Sequence, residues 1–246
     1  MLNLKKNAWL LLAAFALIAC DPDTDPVDPD TPEEAYQSYR YEFWKNTLDA
    51  GWTIDFVGTQ ADPGTYEQYV GESFDVDHEG IGGIESDGVK DNIQEVLSSI
   101  EEPDIVLLCI GGNDLLNGDD VDSVIENIAI IIGRIHQLNP NIKVFVEQIA
   151  PGHSSFMTNE LDDTIQQFNA KIAELGSSVI TGGTNIHVVD MFTDFKDEFF
   201  FDDVHYNEAG AKEVADRYFQ TINEFLHAGS YKILPLGDSR VEGAQP

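Results

Sequence analysis

Residues 231–239 read YKILPLGDS, an apolar run that ends in glycine, aspartate and serine. The run predicts a buried β-strand, because its central residues are apolar and a glycine closes it. Ligands of open α/β sheets bind beyond the carboxyl ends of the strands. We therefore expect Ser239 to lie at the ligand-binding edge of a sheet.

The rest of the chain shows the same kind of strand four more times, in alternation with stretches of helical periodicity. Strands are predicted at 53–57, 104–110, 143–149 and 186–191, and helices at 35–50, 89–100, 121–138, 159–175 and 207–228. Near-continuous apolar strands that alternate with helices are typical of a parallel sheet covered on both faces. The prediction is an α/β fold of three layers, α/β/α, with a five-stranded parallel sheet.

Three further polar segments follow predicted strands or precede the last long helix. They are DHEGIGG at 77–83, GGND at 111–114 and DDVH at 202–205. Each segment is a weak signal alone, since short motifs occur by chance. Together with Gly-Asp-Ser at 237–239, they resemble the four blocks of the SGNH (GDSL-like) hydrolase family.

Four stretches, ILPLGDS at 233–239, DFVG at 55–58, DHEG at 77–80 and VHYNEAG at 204–210, resemble members of that family that deacetylate polysaccharides. One feature departs from the pattern of the family. In the family the Gly-Asp-Ser strand comes first, whereas here it comes last. The resemblance implies a circularly permuted, flavodoxin-like sheet with residues 231–236 at its centre, since permutation is tolerated where chain ends lie close together. Residues 229–246 could instead open a second, truncated unit or be exchanged with a neighbouring molecule.

The chemistry of ester hydrolysis assigns roles to three residues. A serine hydroxyl is a weak nucleophile until a base takes its proton, so Ser239 needs an imidazole, and His205 is the candidate. A third group must hold the tautomer of the imidazole, and Asp202 can fold back onto the ring from three positions earlier. Asp203 is the alternative, but the spacing in the family favours Asp202.

The resemblance also implies an oxyanion hole. Its donors are the backbone N–H of Ser239, the backbone N–H of Gly83 and the side-chain amide of Asn113. Gly82 and Gly80 are alternatives to Gly83. No metal ion and no organic cofactor is implied.

Five other residues of reactive or charged type lie in or near these segments. We expect His78 and Asp114 to be structural, with Asp114 capping the turn that follows it, and Cys109 to be a small core residue. His153 is either a solvated loop residue or a substrate contact. Arg240 either contacts substrate or pairs with an acidic neighbour.

The implied function is the hydrolysis of short acyl esters, acetyl foremost, on a polysaccharide or another small ester. A lipase or thioesterase shares the same chemistry. The alternative from another class is a non-catalytic carbohydrate-binding lipoprotein of the same fold. We expect a monomer.

The amino terminus predicts export and a lipid anchor. Lysines precede a short apolar run in residues 1–19, as in a signal peptide, and Leu-Ile-Ala-Cys resembles the lipobox of bacterial lipoproteins, with Cys20 as the acylated residue. Residues 20–34 are acidic and rich in proline and predict an extended tether. The catalytic domain is expected at 35–246, and the protein outside the cytoplasm on a bacterial membrane.

The charge of the chain excludes one class of partner. The formal net charge is −32 at pH 7. Nucleic acid is excluded as a partner, because its binding relies on a positive face.

Overall fold

A computed structural model describes residues 38–177 and 185–243. The predicted leader (1–19), Cys20 and the tether (20–34) lie outside the described residues. The strands are β1 (Thr53–Phe56), β2 (Gln60–Ala61), β3 (Asp77–Gly80), β4 (Ile105–Cys109), β5 (Lys143–Gln148), β6 (Ile186–Asp190) and β7 (Ser230–Gly237). The helices are α1 (Tyr39–Asp49), α2 (Ser86–Ser99), α3 (Gly112–Asn117), α4 (Val121–Leu138), α5 (Asn159–Ser177), α6 (Glu208–Phe225) and α7 (Ser239–Glu242), with a 3₁₀ turn at Asp197–Phe199.

The strands form one sheet in the order β2-β3-β7-β4-β5-β6, and β1 also pairs with β7. Strand β7 pairs in parallel with β4 on one side and with β1 and β3 on the other. The last strand of the described chain therefore lies inside the sheet, as the sequence predicts. A parallel order of this kind is flavodoxin-like.

The predicted number of five strands is wrong, because the described residues form seven. Strands β1 and β3 share one position beside β7, where β1 pairs with its first half and β3 with its second half. The two-residue strand β2 pairs antiparallel with β3. Residues 77–80 were expected in a loop, since DHEG carries no apolar pattern, yet three of its four residues are buried.

Pro235 lies within β7, where a missing N–H would normally break a ladder. The carbonyls of Ile233 and Gly237 accept hydrogen bonds from Val57 and Ile81, on the side of β1 and β3. Residues two apart in a strand direct their backbone groups to the same side, so the backbone nitrogen of Pro235 points to the same side as these two carbonyls and lies between them. It therefore faces the gap between β1 and β3, where no ladder donor is needed.

Helices cover both faces of the sheet, which confirms the three layers. Helices α1 and α6 pack together on one face, and α2, α4 and α5 pack on the other. Strand β7 contributes Ile233 to the first core and Leu234 and Leu236 to the second. Among the described residues, no helix is long and apolar enough to cross a membrane.

Candidate active site

Ser239 begins the short helix α7 directly after β7. The preceding residue, Asp238, is the N-cap, and its carboxylate accepts the backbone N–H of Arg240 at 3.0 Å. Within residues 38–177 and 185–243, the backbone N–H of Ser239 has no acceptor. The cap therefore fixes the turn and leaves the N–H of Ser239 available to a ligand.

His205 connects Ser239 to Asp202 through a chain of hydrogen bonds. Its Nε2 lies 3.0 Å from Ser239 Oγ. Its Nδ1 lies 2.8 Å from Asp202 Oδ2. Both distances are within hydrogen-bond range, so the structure brings the three predicted residues together in the predicted order.

The Asp202 carboxylate is held by its own loop. Oδ1 accepts the backbone N–H of Val204 at 2.8 Å and that of His205 at 2.6 Å. Partial burial acts to raise the pKa of Asp202, but the hydrogen bonds from the His205 ring and from the two backbone groups outweigh it. The net pKa is below its usual range, so the carboxylate stays charged beside the imidazole.

The three predicted oxyanion donors follow three adjacent strands, β3, β7 and β4. Asn113 lies in α3, and its amide donates one N–H to the carbonyl of Ile84 at 2.9 Å. That bond orients the amide and leaves its second N–H for a ligand. Gly83 has φ of +73° and open space at its Cβ position, whereas a Cβ at Gly80 would lie 2.2 Å from the backbone nitrogen of Glu242. Gly80 therefore serves close packing, which favours Gly83 over it as the donor.

Asn113→Ala tests the oxyanion position. We expect kcat for ester hydrolysis to fall about 10²–10³-fold, because one donor to the developing oxyanion is lost. KM should change little, since the contact strengthens in the transition state. Asn117→Ala, at the exposed end of the same helix, is the matched control and should keep the activity of the parent. Equal kcat values in the two variants would show that Asn113 is not a donor of the oxyanion hole.

Arg240 contacts the loop that carries His205, and its contact with substrate stays a prediction. Its Nε donates to the carbonyl of Val204 at 3.1 Å, and its guanidinium carbon lies 5.0 Å from the centre of the Tyr206 ring. These two residues flank His205 in the chain. Arg240 thus connects the segment of Ser239 to the loop that carries His205.

Asp114 is structural, but it does not cap the turn after it. Its buried carboxylate accepts the backbone N–H of Ser86 at 3.0 Å and also the Ser86 hydroxyl. Ser86 is the first residue of α2. Burial raises the pKa of Asp114, against the effect of these hydrogen bonds. The side chain therefore ties α3 to the start of α2.

The remaining candidates take local roles. His78 is buried in β3, where its Nδ1 accepts the N–H of Gly80 at 3.0 Å. His153 lies in a loop, and its backbone N–H donates to the carbonyl of Asp203 at 2.8 Å. Cys109 is a free, buried thiol at the end of β4, as predicted for a core residue. Among the described residues, no cluster of three or more His, Cys, Asp or Glu side chains could hold a metal ion.

An apolar crevice lies beside the Ser239 loop. It extends from Gly112 and Arg240, and its wall is formed by the apolar side chains Leu115, Leu116, Ile149, Phe156, Met157 and Leu161. The sequence did not reveal it, because these residues come from three separate segments of the chain. Gly112 and Arg240 adjoin Asn113 and Ser239 in the chain, so the apolar wall lies near the candidate nucleophile, where it would suit the acyl part of an ester.

Sequence reasoning also missed Glu147, which lies near the end of β5 and is 3 % exposed. Burial raises its pKa to about 7, against the lowering effect of Tyr218, Cys109 and Arg240. Its usual value is 4.5. A charged residue inside an otherwise apolar strand, as in Lys-Val-Phe-Val-Glu-Gln, was the signal that could have found it.

Glu147→Gln tests this buried carboxyl through stability. The unfolded chain loses the proton at lower pH than the folded chain, so the unfolding free energy of the parent should fall by about 3 kcal/mol as pH rises from about 4.5 to about 7. The glutamine variant has no proton to lose and should gain stability relative to the parent over this window. Urea unfolding at pH 5 and pH 8 measures it, with the exposed Glu95→Gln as control. An equal change in unfolding free energy between pH 5 and pH 8 for the parent and for Glu147→Gln would contradict this prediction.

The sequence model of the GDSL-like lipase/acylhydrolase family matches residues 48–213. The chain belongs to this family. The matched segment is thus that of an acylhydrolase, a type of carboxylic ester hydrolase.

Solved structures with a similar fold include carbohydrate esterases. A carbohydrate esterase of family 3 from Talaromyces cellulolyticus is 26% identical with a TM-score of 0.65, and the match covers 76% of this chain and 90% of that one. A variant of an acetyl esterase, solved with an acetate ion, is 26% identical with a TM-score of 0.64 over the same shares, 76% and 90%.

A curated protein of Acetivibrio thermocellus, named for endoglucanase activity, is 25% identical over 143 residues. The match covers 57% of this chain and 58% of that relative. The chain thus spans little more than half the length of the curated relative.

Proposed function

We propose that this protein is a serine esterase that removes short acyl groups, acetyl foremost, from a polysaccharide. The observation that carries the proposal is the chain of hydrogen bonds at the carboxyl end of β7. Ser239 Oγ lies 3.0 Å from His205 Nε2, and His205 Nδ1 lies 2.8 Å from Asp202. This is the order that an activated serine nucleophile requires.

In the proposed reaction Ser239 Oγ attacks the ester carbonyl carbon while His205 Nε2 takes its proton. Asp202 holds the proton on Nδ1 and stabilises the imidazolium. The oxyanion of the tetrahedral intermediate accepts hydrogen bonds from the N–H of Ser239, the N–H of Gly83 and the amide of Asn113. His205 then protonates the leaving alcohol. In the second half of the reaction His205 takes a proton from a water molecule, which attacks the acyl group on Ser239. The carboxylic acid leaves, and His205 returns the proton to Ser239 Oγ.

The substrate class rests on the relatives and on the wall of the site. Carbohydrate and acetyl esterases are among the similar structures. The apolar crevice beside Arg240 suits an uncharged acyl group. The net charge of −32 disfavours a polyanionic polysaccharide at long range. A neutral acetylated polysaccharide fits all of these observations.

We also propose that the domain is circularly permuted relative to its family. The family match ends at residue 213, so β7 and Ser239 lie beyond it. A Cβ built at Gly243 would lie 3.0 Å from the Cβ of Ser38, so the end of α7 meets the start of α1 in space. A direct connection between these two points would restore the order expected for the family.

The proposed setting is outside the cytoplasm, with Cys20 lipid-anchored to a bacterial membrane after removal of residues 1–19. Residues 20–34 would then tether the esterase domain. Metabolic labelling of the full chain with a fatty-acid analogue tests the anchor. Labelling that persists in Cys20→Ser would overturn it.

The activity test measures acetate released from acetylated xylan and nitrophenol released from 4-nitrophenyl acetate by purified residues 21–246. Ser239→Ala is the folded control. Release by the parent alone supports the proposal. Equal background rates in both proteins, together with binding to the polysaccharide, would replace it with the non-catalytic carbohydrate-binding alternative.

A further inference from the structure

The short helix that carries Ser239 is held at its far end by a residue from the other end of the domain. Arg40, in α1, is 0% exposed. Its Nε donates to the carbonyl of Val241 at 3.1 Å, and its Nη2 to the carbonyl of Glu242 at 3.4 Å. Arg40 and Val241 are 201 positions apart in sequence. The last carbonyls of a helix have no partner within it, and a cation there is favourable.

Other contacts fix the direction of the Arg40 side chain. Its Nη2 forms an ion pair with Asp62 at 2.8 Å, and its Nη1 donates to the carbonyl of Val76 at 3.4 Å. The Asp62 side chain is only 7% exposed and also accepts the hydroxyl of Tyr66. The guanidinium lies 5.9 Å from the centre of the Phe74 ring. These contacts hold the guanidinium of Arg40 in one orientation, in which it donates to the end of α7.

The surroundings of α7 limit how it can move. The backbone of Glu242 lies against Gly80, where any Cβ would come within 2.2 Å of it. Val241 is completely buried. The contact with Gly80 leaves no room for α7 to move towards β3. The burial of Val241 and the hydrogen bonds from Arg40 both oppose movement of α7 away from the core. No other described side chain donates to the carbonyls of Val241 and Glu242.

We propose that Arg40 is a positioning residue for the reaction, which holds α7 so that Ser239 Oγ stays within reach of His205. The inference rests on the proposed esterase function and on the proposed permutation. In the order of the family, the peptide chain itself would connect the end of α7 to the start of α1. Here that connection is absent between Gly243 and Ser38, and the hydrogen bonds of Arg40 take its place.

The first test compares two variants that differ only at Arg40. Asp62→Asn removes the buried partner charge and leaves the donors of Arg40 to α7, so it is the reference for the substitutions at Arg40. Adding Arg40→Met to it should lower kcat about 10- to 100-fold, because a small misplacement of a reacting group has an effect of this size. KM should change little. Asp62→Asn with Arg40→Lys should recover part of the loss.

Two readouts separate positioning from a general loss of structure. Thermal unfolding should show that both variants are folded at the assay temperature. Amide hydrogen exchange should be faster in residues 239–243 of the Arg40→Met protein, with little change in β4 and β5. Unchanged kcat, or a loss of kcat that matches a loss of folded protein, would overturn the inference.

The second test restores the covalent connection. A reordered chain places residues 229–246 ahead of residues 35–228, so that the end of α7 continues into α1. In this chain the same Arg40→Met substitution should lower kcat less than about 3-fold, because the peptide link now limits the movement of α7. An equal loss in both chain orders would contradict a positioning role that replaces the link. A parent that hydrolyses no ester would instead overturn the proposed function itself.

Discussion

Ser239→Ala should lower kcat for 4-nitrophenyl acetate by at least about 10⁴-fold, because the covalent route is lost and the remaining groups act only on a water molecule. The oxygen removed lies 3.0 Å from His205 Nε2. The proposed oxyanion donors remain in place, since two are backbone groups and Asn113 donates to the carbonyl of Ile84. Residual hydrolysis therefore reports the oxyanion hole and substrate binding alone.

The serine variant should fold as well as the parent. The hydroxyl of Ser239 bonds only to His205 among the described residues, and the cap of α7 is made by Asp238. We expect a change in melting temperature of less than about 2 °C, as for a substitution away from the core. Ser98→Ala, on the exposed surface of α2, is the matched serine control and should keep full activity. A Ser239→Ala protein with more than about 1% of the parent kcat would exclude Ser239 as the nucleophile.

The strands that the sequence predicts well are those buried on both faces. Every residue of Ile105–Cys109 is buried, so the apolar run is continuous and hard to mistake. Strand β3 was not predicted, because its buried residues are not apolar. His78 and Glu79 are polar but buried, and hydrogen bonds with Gly80 and Thr59 satisfy them. A pattern of hydrophobicity carries no information about such pairings.

The residues of the candidate site also divide into those that a local sequence pattern predicts and those that it does not. The sequence predicts that Ser239, His205 and Asp202 lie together, as their hydrogen bonds show, because the chemistry proposed for them needs particular residue types in short motifs. Arg40 and Glu147 were missed, because a charged residue in a sequence is normally read as a surface residue. Their burial depends on partners far away in the chain, such as Val241 for Arg40. No local pattern reports a contact over 201 positions.

Strand β7 combines a late position in the chain with an interior position in the sheet. It forms parallel ladders with β4 on one side and with β1 and β3 on the other. Its buried side chains Ile233, Leu234 and Leu236 enter both cores. Burial of each contributes about 2 kcal/mol, so together they approach the whole stability of a typical domain, about 5–15 kcal/mol.

A chain that ends at residue 228 should therefore fail to fold, and not merely lack the nucleophile. Without β7, strand β4 keeps only β5 as a partner, β1 and β3 lose their parallel partner, and both cores open to water. We expect no cooperative thermal transition and weak near-ultraviolet circular dichroism. The control is a chain that ends at Gly243, which keeps β7, α7 and the hydrogen bonds of Arg40, and it should unfold cooperatively and hydrolyse esters. Cooperative unfolding of the shorter chain would mean that β1, β3 and β4 can close the sheet themselves, so β7 would be an addition to the fold and not its centre.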